Sequence, residues 1–259
     1  MRFRSTRGAS PEVDFETAIL TGLAPDSGLY LPVEWPSFSN ATLASWTDLS
    51  YQEVAARVIE PFAEGFVDLD ELESLLAAAY EGFGNREIAP IVDLGDLHVM
   101  ELFWGPTLAF KDFGLQMLAS MVDVALQRHD RRATVVGATS GDTGSAAIEA
   151  FRDRDQVDVV ILYPHGRVSE VQRRQMTTVQ SQNVHAVAVD GTFDDCQDLL
   201  KRLLADQTAR QAFSLTTTNS INFGRLAPQI AYYIWAVLKV GRGVSFAVPS
   251  GNFGNVFSG

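Results

Sequence analysis

The sequence predicts an α/β protein, with parallel sheets flanked by helices and a helical N-terminal domain in front. Three observations carry that reading. Short Val- and Ile-rich runs alternate with amphipathic segments from about residue 90 onward. Loops of Gly, Ser and Thr separate each run from the segment that follows. Residues 1 to about 90 instead hold Pro11, Pro25, Pro32, Pro36 and Pro61 with helical spacing between them.

Within the N-terminal stretch, Tyr51–Ile59 and Leu69–Leu76 place apolar residues at helical intervals. The alternating region opens with a strand-like run, Leu97–Phe103, and a helix from Phe113 to about His129. Strands are expected at Ala133–Gly137, Val157–Leu162, Val184–Val189 and Val244–Val248. Helices are expected from Ser145, near Ser169–Val179, at Phe193–Ala205 and at about Arg225–Val240. The expected domains are residues 1–90; residues 91–129 with 216–259; and a smaller inserted α/β unit over 130–215.

The 259 residues suffice for one large or two ordinary domains. Hydrophobic residues are 46% and charged residues 20%, as in soluble globular proteins. The net charge of −12 and the lack of a basic block argue against nucleic acid as a partner. The single cysteine, Cys196, excludes an internal disulfide and a Cys-rich zinc site and fits a reducing compartment. No secretory signal or membrane-length apolar run is found, so a cytoplasmic location is expected, with no membrane partner. His129 suits the C-terminal dipole of its helix, His165 and His185 lack metal-ligand partners at useful spacing, and no metal is expected. Trp104 fits a core role or a contact with a ligand equally.

Three loops could carry chemistry. Gly105–Gly114 sets Lys111 beside Phe110 in apolar surroundings. A lysine there is either a snorkelling surface residue or a Schiff-base nucleophile. Thr139, Ser140, Gly141, Asp142 and Thr143 follow a strand and precede a helix, suiting a carboxylate or single phosphate on a helix N-terminus, or merely a capped turn. Gly251, Asn252, Phe253, Gly254 and Asn255 permit the close backbone approach of a phosphate cradle, or form a plain turn. Upstream, Ser220, Asn222 and Arg225 offer a hydroxyl, an amide and a guanidinium, either for an anion or as a capping segment.

In this order the segments resemble the threonine synthase family, within the fold-type II pyridoxal-phosphate enzymes related to the tryptophan synthase β subunit. Ser5-Thr6-Arg7-Gly8, Gly28-Leu29-Tyr30-Leu31-Pro32, Thr107–Asp112, Thr139–Gly144, Asn219–Asn222 and Ser250–Gly254 carry the resemblance across nearly the whole chain. It implies pyridoxal 5'-phosphate as cofactor and conversion of O-phospho-L-homoserine and water to L-threonine and phosphate, the last step of threonine biosynthesis. Lys111 is then the catalytic residue, holding the cofactor and moving protons at Cα and Cβ. Phe110, Asp142 and Gly251–Asn255 are implied as cofactor contacts. Thr139, Ser140, Gly141, Thr143, Ser220, Asn222 and Arg225 are implied for substrate. Many relatives carry an asparagine where this chain has Asp142, and a carboxylate facing the cofactor's phenolic oxygen would repel it unless protonated or turned away.

Family members are considerably longer, which implies that the helix after the cradle and the group meeting the pyridine nitrogen are missing. The 259 residues alone are therefore expected to bind cofactor weakly and not to turn over. Two rivals are a threonine or serine dehydratase-like lyase and an inactive fragment; the N-terminal Ser-Thr-Arg-Gly segment weighs against the dehydratase.

Overall fold

A computed structural model describes residues 1–217, 222–249 and 251–259. The N-terminal stretch holds β1 (Phe3–Ser5), α1 (Phe15–Thr21), β2 (Tyr30–Pro32), α2 (Asn40–Ser45), α3 (Tyr51–Ile59) and α4 (Leu69–Tyr80). Its helices start where side-chain oxygens can satisfy free N–H groups. Asp14, Ser39, Ser50 and Asp68 each accept one, and Ser50 and Glu53 form a reciprocal capping box. β1 and β2 pair antiparallel, bringing Ser5 opposite Tyr30. The two N-terminal segments of the family resemblance are thus neighbours in space.

β3 (Ile91–Asp93) and β4 (His98–Met100) then form a small antiparallel hairpin. The strand expected over 97–103 is thus shorter and lies outside the main sheet. α5 (Lys111–Arg128) follows, then β5 (Ala133–Ala138), α6 (Asp142–Phe151), β6 (Val157–Pro164), α7 (Glu170–Thr177) and β7 (Val184–Val189). α8 (Phe193–Ala205), α9 (Gln207–Ala212), β8 (Leu215–Thr216), α10 (Phe223–Val240) and α11 (Gly254–Ser258) complete the chain.

The main sheet is wholly parallel, in the order β7-β6-β5-β8. Period-two alternation gives it two apolar faces. Val135, Val159 and Ile161 join Ala146, Ile148 and Phe151 of α6 in the main core. Val136, Ala138 and Leu215 meet Cys196 and Leu200 of α8 on the other side. Both faces are covered, as parallel strands require.

The main core runs without a break from Phe3 to Trp235. Tyr51 of α3 meets the Phe113 and Trp235 rings edge-on, each with centroids 5.7 Å apart. The Tyr80 hydroxyl donates to the Phe113 carbonyl at 3.1 Å. The N-terminal helices therefore brace α5 and α10, the two helices that begin at the candidate site. Gly114 permits the close approach of those two, since a Cβ there would lie 2.6 Å from the Arg225 carbonyl.

Residues 244–248 do not form the expected strand. Their composition is right, but a strand exists only with a neighbour to bond, and none lies beside them among the described residues. No helix of the described residues is long and apolar enough to cross a membrane.

Candidate active site

Lys111 is the first residue of α5 and lines a cleft of about 1260 Å³. Its side chain is 17% exposed, and Nζ donates to Asp142 Oδ2 at 3.0 Å. The ammonium also lies 4.6 Å from the centre of the Phe110 ring. The chain has only three lysines, at 111, 201 and 239. Lys239 sits over Trp235 and bonds the Thr47 carbonyl, and Lys201 is exposed on α8.

The loop that presents Lys111 is tied by its neighbour. Asp112 is fully buried and accepts the Thr107 N–H at 2.9 Å and the Thr107 hydroxyl at 2.6 Å. Burial raises its carboxyl above the ordinary value, and the Thr107 hydrogen bonds oppose that rise. Gly105 packs so tightly on Asp112 that a Cβ would come within 2.4 Å of Oδ2. Gln175 of α7 adds a 3.2 Å bond to the Thr107 carbonyl.

Facing Lys111 is the start of α6. Thr139 is buried, and its hydroxyl accepts the Gly141 and Gly144 N–H groups at 2.9 and 2.8 Å and donates to the Gly141 carbonyl at 3.1 Å. That hydroxyl therefore organises the loop from within, while Ser140, Asp142 and Thr143 line the cleft. Gly141 has φ +150, and a Cβ there would fall 2.2 Å from Gln172 Oε1. Gln172 turns its amide N–H to Asp142 Oδ1, so both carboxylate oxygens are engaged. Burial pushes the Asp142 carboxyl up, but the bond and charge of Lys111, with the Gln172 bond, bring it net below its ordinary value. Asp142 is thus ionised at neutral pH and turned toward the lysine.

Gly251, Asn252, Gly254 and Asn255 line the same cleft. Phe253 adopts a left-handed conformation (φ +57) and starts α11 directly. The start of the helix expected to be missing after the cradle is therefore present, its first turn held by the Phe257 N–H donating to the Phe253 carbonyl at 2.8 Å. Asn255 is buried, and its Oδ1 accepts the hydroxyls of Tyr232 at 2.6 Å and Tyr233 at 2.8 Å.

Arg225 is buried on the cleft wall, and burial lowers its guanidinium to about 10, with the Tyr232 hydroxyl opposing. It stays charged at neutral pH. Asn222 does not line the cleft: it caps α10 at Gly224 N (2.9 Å) and donates to the Ile19 carbonyl (2.9 Å). Ser220 lies outside the described residues. Gly141 and Phe253 shape their loops without forming wall, and Trp104 packs on Gly84 and bonds Glu101.

An amine, a glycine-rich turn and a buried guanidinium around one cleft suit a carbonyl compound that carries phosphate. Residues 90–258 match the family described as "Pyridoxal-phosphate dependent enzyme", and residues 2–80 match "Threonine synthase N terminus". The chain belongs to the pyridoxal-phosphate dependent enzymes. All of it aligns with the threonine synthase of Pseudomonas aeruginosa, at 48% identity and over 56% of that protein. The threonine synthase of Saccharomyces cerevisiae is 41% identical over 99% of the chain and 54% of its own length. Among solved structures, pyridoxal-phosphate-bound threonine synthase from Brucella melitensis superposes with a TM-score of 0.94, at 48% identity, over 100% of this chain and 56% of that one. The yeast enzyme gives a TM-score of 0.91 at 41% identity, over 99% of this chain and 54% of that one. The fold is that of the fold-type II pyridoxal-phosphate enzymes. This chain spans about half the length of the threonine synthases it matches.

Sequence reasoning missed Gln172, the two tyrosines on Asn255, and the clasp formed by Asp112. Only the last had a nearby signal, an acid adjoining the lysine.

Proposed function

We propose that this chain supplies Lys111 and most of the ligand wall of a threonine synthase, which converts O-phospho-L-homoserine and water to L-threonine and phosphate. The observation that carries the reading is Lys111 sharing one cleft with the start of α6 and the Gly251–Asn255 turn. When bound, pyridoxal phosphate supplies the carbonyl that takes up the substrate amine and the ring that spreads negative charge.

The chain's own residues would do the rest. Lys111 would hold the cofactor carbonyl and, once released, carry a proton at the substrate's Cα and then Cβ. Asp142 would release its bond to Nζ for Lys111 to hold the cofactor, while the Gln172 amide would stay on its other oxygen. Ser140, Thr143 and the N–H groups opening α6 suit the substrate carboxylate. Arg225 suits its phosphate, with Ser220 as the further candidate from sequence. Gly251, Asn252 and Gly254 suit the cofactor phosphate, with Asn255 pinning the turn. Phe110 shields one side of the lysine from water.

We place the cofactor unit at residues 91–129 and 216–259, the inserted unit at 130–215 and the N-terminal unit at 1–90. A cytoplasmic location fits the lone buried Cys196. The test compares phosphate release from O-phosphohomoserine with ammonia release from threonine, with Lys111→Ala as control. In a chain of the relatives' full length, phosphate release that depends on Lys111 is expected, and Lys111-dependent ammonia release alone would make the enzyme a dehydratase.

A further inference from the structure

The cleft is positive in an acidic protein. Its charged lining residues are Arg7, Lys111, Lys201, Arg210 and Arg225 against Asp142 alone, in a chain of net charge −12. Asp142 is already answered by Lys111. The lining also has depth: Arg225 is buried, Arg210 half-buried, and Arg7 and Lys201 exposed. The outer three come from two distant parts of the chain, the loop after β1 and the helices α8 and α9.

The loop bearing Arg7 is clamped on both sides. Asp26 accepts the Ser5 hydroxyl at 2.6 Å, the Ala9 N–H at 2.9 Å and the Gly28 N–H at 2.9 Å. The Arg7 N–H donates to Ser5 Oγ at 3.2 Å. Gly28 is required there, because a Cβ would lie 2.1 Å from Ser5 Oγ. Arg210 lines the same cleft as Arg7, and the Tyr30 phenol, raised chiefly by burial, feels Asp26 and Arg210 with opposite sign. Among the described residues neither Arg7 nor Arg210 has a carboxylate within ion-pair distance. Lys201 has one exposed pair, with Asp198 at 3.1 Å, and such pairs hold little.

We propose that Arg7, Lys201 and Arg210 form an outer anion-binding station at the mouth of the cleft. It takes the phosphate group of a small phosphorylated substrate before Arg225 does, and it receives phosphate ion on the way out. This rests on the reading above that the substrate is a phosphate monoester. Two guanidinium forks suit phosphate geometry, and cleft walls of low dielectric concentrate their field against the negative background.

The test is a nitrogen-15 NMR titration of the whole chain with inorganic phosphate at low ionic strength, following backbone and arginine Nε signals. Saturable shifts at Arg7 and Arg210 are expected. The double variant Arg7→Gln/Arg210→Gln should weaken that binding by about tenfold, and Arg7→Lys should keep part of it. Unchanged dispersion of the core signals would show that the variants fold. Shifts confined to Arg225, or equal affinity in the double variant, would overturn the station and leave the inner reading standing. Saturation at the outer arginines without any capture of pyridoxal phosphate by Lys111 would keep the station and remove the cofactor reading.

Discussion

The two walls of the cleft are built differently. On the lysine side three polar side chains are answered from within the chain: Asp112 by Thr107, Thr139 by Gly141 and Gly144, Asp142 by Lys111 and Gln172. On the glycine side the turn over 251–255 is anchored at Asn255, and residues 244–249 leading into it have no strand neighbour among the described residues. The chemical end of the site is therefore preorganised, as a group that must meet a substrate atom at fixed distance requires. The anion end presents backbone and relies on one buried amide to place it.

The comparison breaks most sharply at Asp112. Asp112→Ala leaves the Thr107 N–H and hydroxyl without their acceptor in a buried place and should cost about 3 kcal/mol in urea unfolding. Asp112→Asn, which keeps one acceptor oxygen, should cost clearly less. A loss below about 0.5 kcal/mol in the alanine variant would mean that the clasp is not structural.

On the other wall, Tyr232→Phe with Tyr233→Phe removes the hydroxyls that hold Asn255. The expected cost is about 1 kcal/mol per bond, concentrated as faster amide exchange over 254–258 rather than in α5. Equal loss of protection in both helices would erase the distinction between the walls.

Gly141→Ala asks for a side chain at φ +150 and drives Gln172 off Asp142. About 1–2 kcal/mol of destabilisation is expected from the backbone alone. Gln172→Ala should reproduce the loosening of Asp142 with little of that cost.

The smallest effect is in pH. Asp142 has its folded value below its unfolded one, so its contribution is complete above the ordinary carboxylate range. It is lost as pH falls through the lowered value. Asp26, held down to about 2 first by the Ser5 hydroxyl and then by the Gly28 and Ala9 N–H groups, behaves likewise. Asp142→Asn should flatten the acid limb of stability against pH slightly, and a steeper limb would contradict the assigned sign.

Much of this is legible in the sequence. β7 and α8 fall on their expected bounds, and β5 and β6 begin where expected; β5 and β6 are central, buried parallel strands with continuous apolar runs, while β7 is a half-exposed edge strand marked by its valines. Lys111, Asp142 and Gly251 could be singled out because loop glycines and hydroxyls after strands mark ligand sites. Gln172 could not, since a glutamine on a polar helix thirty residues away carries no signal of its target. Tyr232 and Tyr233 read as core because they lie on an apolar helix. Asn222 is open to two readings in the sequence, and the resemblance assigns it to substrate, whereas the structure makes it the cap of α10. Residues 244–248 have strand composition, but pairing is a property of the neighbours rather than of the segment.

The most direct measurement uses the fact that only three lysines and the N-terminal amine can capture an aldehyde. The chain is incubated with pyridoxal phosphate, reduced with borohydride and mapped by mass spectrometry. The pyridoxyl group is expected on the peptide containing Lys111, and Lys111→Ala should abolish it. Label on Lys201, Lys239 or Met1 with Lys111 unmodified, or no label at all, would contradict the assignment of the site.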